Sequence, residues 1–288
     1  MRLGSISYIN SLPVDLGLLD GKVSLEDVDF VSGFPSDLNQ KISNGQVDLG
    51  PVSAFWYAQH PELFYVLPNL SISSESGVRS VLLFSRHPLK DLAGKRIAIT
   101  GQGKTTPALL EVLCRSFYDF SPQLVLVEKH DDPLSTADGF VVIGDEALLM
   151  RQKHIGSPLI VTDLAEEWRL HTGLSFVFAV WVVRREFFHE HVEEATRAFA
   201  ALLASKRWGK THLPEILTRA HSVTGLPVDV LRDYFSCLSY DFNEPMQKAM
   251  LRFFEEATRL QLLLQVPALE FVPDEAGMLT RSIVAGKP

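Results

Sequence analysis

The chain has 288 residues, 46% of them hydrophobic and 22% charged, with a formal net charge of -8 and a pI near 5.6. That much apolar content with modest net charge excludes a disordered chain. The acidic balance argues against a broad nucleic-acid or anionic-membrane surface, but leaves room for a locally positive site for a small anion.

Met1–Tyr8 enters a strand at once, without the basic segment, apolar run and small-residue cleavage site of an export signal, so a cytoplasmic location is expected. Arg2–Tyr8 reads as a strand and Pro13–Leu19 as a helix with proline in its first turn. Val28–Val31 is a strand, and Ser36–Ser43 a helix capped by Ser36 and closed by Asn44-Gly45. Val47–Val52 is the next strand, and Ala54–Gln59 opens a helix. Arg79–Ser85 and Arg96–Thr100 are strands, followed by a helix over Thr106–Tyr118 with Leu109, Leu110, Leu113 and Phe117 at helical spacing. Leu124–Val127 and Gly139–Ile143 are strands. Such alternation predicts an α/β fold with mixed, mostly parallel sheets flanked by helices.

After Arg184 the pattern turns helical: His189–Ser205, Pro214–Val223, Val228–Leu238 and Glu244–Leu264. The last carries an apolar stripe from Met246 through Met250, Phe253, Phe254 and Ala257 to Leu260 and Leu264. Ala276–Pro288 reads as a frayed tail. The longest apolar runs, such as Phe176–Val183, fall far short of the roughly 20 residues that span a bilayer. The length suits two lobes, since domains typically run about 100–200 residues. Crossovers at Ser85–Leu89 and Phe176–Arg184 predict one discontinuous lobe, residues 1–88 plus 184–288, and an inserted lobe, residues 89–183. Ligand crevices in open α/β sheets lie beyond the carboxyl ends of the strands. This brings Ser7–Asn10, Pro51–Ser53, Gly101–Thr106 and Gly144–Asp145 towards one cleft between the lobes.

Gly101-Gln102-Gly103-Lys104-Thr105-Thr106 follows a strand and precedes a helix, as a phosphate loop does. The triphosphate pattern needs a glycine where Ala98 stands, and the dinucleotide pattern needs one where Thr106 stands. A glycine-rich turn at a helix N-terminus still presents backbone N–H groups and a favourable dipole end to a carboxylate. Thr105 or Thr106 capping the helix is the alternative. Ser7-Tyr8-Ile9-Asn10-Ser11-Leu12-Pro13 offers the donors and acceptors of Asn10 and Ser11, or simply a Ser11 cap ahead of Pro13. The nine histidines show no metal spacing, and no zinc, nucleophile-elbow or kinase signature is present. Asp131-Asp132 and Glu166-Glu167 read as solvated faces. Cys114 and Cys237 sit in apolar helical patterns and read as buried, inert thiols rather than a disulfide framework.

Over nearly its whole length the chain resembles the chorismate dehydratase family of the futalosine route to menaquinone. The resemblance rests on Ser7–Pro13, Val47–Ser53, Val78–Ser85, Val142–Leu148, Asp163–Trp168 and Phe176–Trp181, in that order and spacing. It implies a type II periplasmic-binding-protein-like fold and elimination of water from chorismate to give 3-[(1-carboxyvinyl)oxy]benzoate, a carbon–oxygen lyase reaction. It implies no redox cofactor or metal, and chorismate, a dicarboxylate, as the small-molecule partner. By match to the family motifs, Asn10 and Ser80 are the expected catalytic residues. Ser11, Ser53, Thr105 and Thr106 are expected to bind the substrate, with Gly144 and Asp145 closing the far wall. Arg79 is an attractive counter-ion, but strand alternation sends it to the face opposite Ser80. Asp145 is a candidate base for ring C3 or a helix cap, and a substrate carboxylate acting as its own base stays open. Two departures stand out: Gln102–Thr106, where small residues ending in Thr-Ser are more common, and Ser175, where proline is common. The competing readings are the sister enzyme, 1,4-dihydroxy-6-naphthoate synthase, a non-catalytic solute receptor and a transcription-factor effector domain.

Overall fold

A computed structural model of the chain describes residues 1–101, 103–127 and 133–273. The first sheet is built from β1 (Arg2–Ile6), β2 (Asp29–Gly33), β3 (Leu49–Ser53) and β4 (Phe64–Ser74). The second takes β5 (Val81–Ser85), β6 (Arg96–Ile99), β7 (Gln123–Leu126), β8 (Gly139–Ile143) and β9 (Ile160–Asp163). β10 (Phe176–Arg184) and β11 (Leu238–Ser239) return to the first. The strand orders are β11-β4-β10-β3-β1-β2 and β7-β6-β8-β5-β9. Pairing is parallel among β1, β2 and β3 and among β6, β7 and β8. It turns antiparallel around β10 and β5, the strands that follow each crossing of the chain between sheets.

Those crossings correct the expected lobe boundaries. β5 pairs with β8 and β9 in the second sheet, so the chain has already left the first by Ser80. β10 pairs with β3 and β4, so it has returned by Phe176. Boundaries at 88 and 184 would sever both strands from their hydrogen-bonding partners. The insertion between the sheets runs from the turn after Ser74 to the turn before Phe176.

The first half carries α1 (Leu12–Leu19), α2 (Pro35–Ser43), α3 (Ala54–Gln59), α4 (Thr105–Val112), α5 (Gly144–Lys153) and α6 (Leu164–Thr172). α7 (Arg185–Glu190), α8 (Val192–Thr211), α9 (Leu213–Thr224), α10 (Val228–Ser236) and α11 (Glu244–Arg259) follow. α2 starts at Pro35, with Phe34 at the cap position rather than Ser36, because the fixed proline φ suits the first helical position. α4 passes into a π-helical turn at Leu113–Phe117, which ends the expected helix early. α11 buries Met246, Met250, Phe253, Phe254 and Ala257, as its stripe predicts. Its stripe joins Val52 and Phe55 of the first lobe to Leu83 and Leu109 of the second in one apolar cluster. The lobes therefore share a hydrophobic back, leaving the strand ends free to form a cleft.

Cys114 is buried, its thiol pushed up to about 12 by burial and Glu111, whereas Cys237 is half-buried and donates to the Asp233 carbonyl at 3.3 Å. Among the described residues no helix is long and apolar enough to cross a membrane, and no cluster of histidine, cysteine and carboxylates has metal-binding geometry. The Asp131-Asp132 pair, Gln102 and the Ala276–Pro288 tail lie outside the described residues.

Candidate active site

Four strand-to-helix turns meet at one open cleft between the two sheets. The β1–α1 turn supplies Tyr8 and Asn10, β3–α3 supplies Ser53, β6–α4 supplies Gly103, Thr105 and Thr106, and β8–α5 supplies Gly144. Pro35 and Asn39 of α2, Ser80 of the crossover, and Phe178 and Ala179 of β10 complete much of the wall.

Of the eight expected site residues, Asn10, Ser80, Ser53, Thr105, Thr106 and Gly144 line this cavity, and Ser11 and Asp145 do not. The Ser11 hydroxyl turns inward, donating to the Ile6 carbonyl at 3.0 Å, and is 1% exposed. It is a structural hydroxyl at the base of the turn. The Asp145 carboxylate accepts the Ile9 backbone N–H at 3.0 Å, tying the second lobe to the first. Burial raises its pKa to about 6 against the opposing effect of that N–H. Asp145 is a latch between two turns, rather than a base aimed into the cavity.

Asn10 lines the cavity with a buried Oδ1 that has no hydrogen-bond partner in the protein. Buried polar atoms are normally satisfied, so this one is set to meet a ligand. Its backbone is fixed, since the Tyr240 hydroxyl donates to the Asn10 carbonyl at 2.9 Å. Ser80 is 2% exposed and accepts from the Tyr234 hydroxyl at 3.0 Å. Ser53 is held by Asn39, whose Nδ2 donates to Ser53 Oγ at 2.9 Å and whose Oδ1 accepts the Ser53 N–H at 3.1 Å. Thr105 Oγ1 accepts the Phe55 N–H at 3.0 Å, so this hydroxyl joins the α4 start to the α3 start. Gly144 has φ +66, and a Cβ there would stand 2.6 Å from the Tyr8 ring. Only glycine lets the two turns approach this closely.

The wall is largely apolar, set with a few neutral polar groups. None of the described residues lining the cavity is Asp, Glu, Lys, Arg or His. Tyr8 is protonated, its pKa raised by burial and by Asp145 and Glu146. The starts of α2, α4 and α5 stand at the wall through Pro35, Thr105 and Gly144. Unpaired N–H groups of first helical turns favour anions by about 0.3–1 kcal/mol each when exposed and up to ~2 kcal/mol when partly buried.

Arg79 does not line the cavity, but for a reason that strand alternation does not contain. It precedes β5 and adopts φ +62, outside any strand. Its N–H donates to Asp163 at 2.6 Å, and its guanidinium pairs with Asp233 on α10. Asn39 and Tyr234 were missed because their contacts come from other segments. Asn39 is polar on the buried face of an otherwise amphipathic helix, a signal that was available. Ser175 lies in the return turn, where its carbonyl accepts the Trp168 indole N–H at 3.0 Å. Glu166 is exposed and Glu167 accepts from Tyr118, so neither forms an acid/base pair in the cavity.

Comparison with known proteins follows this geometry. A family model described as menaquinone biosynthesis matches residues 1–259. A chorismate dehydratase from Thermus thermophilus is 29% identical over 272 residues, 90% of this chain and 95% of that protein. A 1,4-dihydroxy-6-naphtoate synthase from the same organism is 27% identical over 293 residues, 94% of this chain and 99% of that protein. Among solved structures, a structural-genomics protein from Archaeoglobus fulgidus superposes with a TM-score of 0.71 at 20% identity, covering 91% of this chain and 98% of that one. The periplasmic aliphatic sulphonate binding protein of Escherichia coli gives 0.66 at 13% identity, covering 93% and 90%. These likenesses establish the two-lobed binding-protein fold.

Proposed function

The chain belongs to the menaquinone biosynthesis family, and from that premise we propose that it is a hydro-lyase that removes water from chorismate to give 3-[(1-carboxyvinyl)oxy]benzoate. The observation that carries this reading is the cavity itself: an uncharged wall where the unpartnered amide oxygen of Asn10 and the hydroxyl of Ser80 line the same space. A dicarboxylate fits such a wall, its charges met by helix starts and by the hydroxyls of Ser53, Thr105 and Thr106.

The elimination takes a proton from ring C3 and hydroxide from C4, and aromatisation drives it. The enzyme's task is to position the substrate and stabilise developing charge. Asn10 offers an acceptor and two donors on one rigid group and holds the departing C4 hydroxyl. Ser80 donates to the same region. With no carboxylate or histidine among the described wall residues, and Asp145 committed to Ile9, the base is a carboxylate of the substrate. It takes the C3 proton and passes it to the departing hydroxide as water, which regenerates the carboxylate. Placement in the cytoplasm belongs to this reading.

The test is mass spectrometry of chorismate incubated with the purified protein, beside loss of the cyclohexadiene absorbance. A product lighter by one water is expected. Unchanged chorismate under competent conditions overturns the reading in favour of a binding protein or the sister synthase.

A further inference from the structure

Two consecutive residues of α10 grip two consecutive residues of the crossover. Asp233 pairs with the Arg79 guanidinium, and the Tyr234 hydroxyl reaches Ser80 Oγ at 3.0 Å. Arg79 is held in the left-handed region at φ +62, a conformation an L-residue adopts only when its surroundings enforce it. The enforcement is visible: Asp163 accepts its N–H and Asp233 takes its side chain. Immediately after this turn comes Ser80, whose carbonyl accepts the Gly144 N–H at 2.8 Å. Its main chain is thereby fixed against the second lobe.

The hydroxyl of Ser80 has one proton and two lone pairs. A phenol is a stronger acid than an aliphatic alcohol, so Tyr234 is the donor of this pair. Burial raises the Tyr234 pKa, against the lowering effect of Ser80, which keeps the phenol protonated throughout the physiological range. With one lone pair occupied by that proton, the Ser80 proton must point elsewhere. Among the described residues it meets only the Val78 carbonyl, at 3.5 Å, the outer limit of a hydrogen bond. The cavity is the remaining direction. Tyr234 is itself rigid, 1% exposed and packed among Ile9, Leu148, Ile216 and Leu231.

We propose that Tyr234 is a positioning residue that fixes Ser80 as a hydrogen-bond donor into the cavity, polarising its O–H towards the oxygen that leaves C4. Tyr234 does not line the cavity and acts only through Ser80. The inference deepens the reading of the function above and rests on it. Without the phenol the Ser80 hydroxyl is free to rotate, and its proton is shared between orientations.

The experiment is a double-substitution cycle with Tyr234→Phe, Ser80→Ala and the pair combined, each assayed with chorismate and followed by thermal melting. Tyr234→Phe is expected to lower kcat about tenfold with KM changed less than about twofold, the size of one lost hydrogen bond expressed in the transition state. Ser80→Ala is expected to lower kcat on the order of a hundredfold. The combined variant should be no slower than Ser80→Ala alone, because Tyr234 has nothing left to orient. A merely structural role moves the melting temperature without that non-additivity. Tyr234→Phe turning over at the unsubstituted rate overturns the positioning role alone, as do losses that multiply in the combined variant. Chorismate left intact by the unsubstituted protein overturns the functional reading first, and the positioning role with it.

Discussion

Two regions of this molecule bury carboxylates, and they treat them in opposite ways. At the back, where α11 meets the π-helical end of α4, Glu256 accepts from Arg252 Nη2 and Arg259 Nη2, both at 2.6 Å, and from Ser116 at 3.0 Å. Burial alone raises its pKa, but the hydrogen bonds of Arg259 and Ser116 and both arginine charges outweigh it and bring the carboxyl below its usual range. Around the cavity no arginine comes to help. Asp15, 4% exposed, accepts from the Ser5 hydroxyl at 2.7 Å, and burial carries its pKa to about 7 against the lowering effect of the nearby Ser5 and Ser11 hydroxyls. Asp145 has one backbone N–H and rises to about 6. Among the described residues none that lines the wall is charged, whereas the joint between the lobes gathers Arg252 and Arg259 around Glu256. In a cleft that meets a dianion with helix starts and hydroxyls, a nearby arginine would compete to set the substrate's orientation.

That contrast predicts that substitutions at the cavity change rate while substitutions at the back change stability. An effect on rate as large as that of Ser80→Ala is expected from Gly144→Ala. The new methyl meets the Tyr8 ring, and φ +66 costs an L-residue roughly 1 kcal/mol. Displacing the Tyr8 turn by about 1 Å should lower kcat/KM by on the order of a hundredfold. Measurement of kcat/KM beside the melting curve checks it, and a loss smaller than about threefold would mean the two turns are not the jaw of the site. Glu256→Ala should do the reverse. Removing the carboxylate leaves two half-exposed arginines and a half-buried serine, at a cost of about 2 kcal/mol or roughly 5 °C in Tm, with kcat unchanged. A rate change larger than the stability change would show that the joint and the cavity are coupled.

The sequence displays the turns and hides what braces them. Gly144-Asp145 and Ser53-Ala54 stand out because each joins an apolar strand directly to a helix, and Thr105-Thr106 because it opens a helix after a glycine-rich turn, so the convergence on one cleft is legible. β4 was missed because Pro68 and Asn69 interrupt it, and Asn69 has φ +59; the tertiary pairing with β10 overrides that local signal. The lobe boundaries were placed ten or so residues late because Val81–Ser85 and Phe176–Arg184 look the same whichever sheet receives them. Only the hydrogen-bond partners decide. Ser11 and Asp145 were assigned to the ligand because spacing places the residue but leaves the side-chain direction undetermined. Tyr234 lies 154 positions from Ser80, and nothing local in either segment announces the other.

The contrast between the two regions also has a pH dependence. Asp15 binds its proton more tightly folded than unfolded, so between about pH 4 and pH 7 the folded form holds a proton that the unfolded form has lost. Stability therefore falls as pH rises through that window, by about 1.4 kcal/mol per pH unit from this group. Glu256 acts with the opposite sign, adding stability above its ordinary pKa and losing it as pH falls through its lowered one. Asp15→Asn should remove the decline between pH 6 and pH 7, where Asp145 no longer contributes. Melting curves at closely spaced pH values read this directly, and an unchanged slope would mean that Asp15 stays ionised when folded.

The smallest effect is expected where a base would have produced the largest. Asp145→Asn keeps an oxygen that accepts the Ile9 N–H, so the link between the lobes survives, and it removes a group that titrates near pH 6. If the substrate supplies its own base, kcat should fall by less than about tenfold, within the range of one altered hydrogen bond. The acidic limb of the pH–rate profile should keep its shape, because the titrating group that matters arrives with the substrate. A loss of a thousandfold or more with chorismate binding retained would return Asp145 to the role of general base, and would require its carboxylate to release Ile9 and swing into the cavity during turnover.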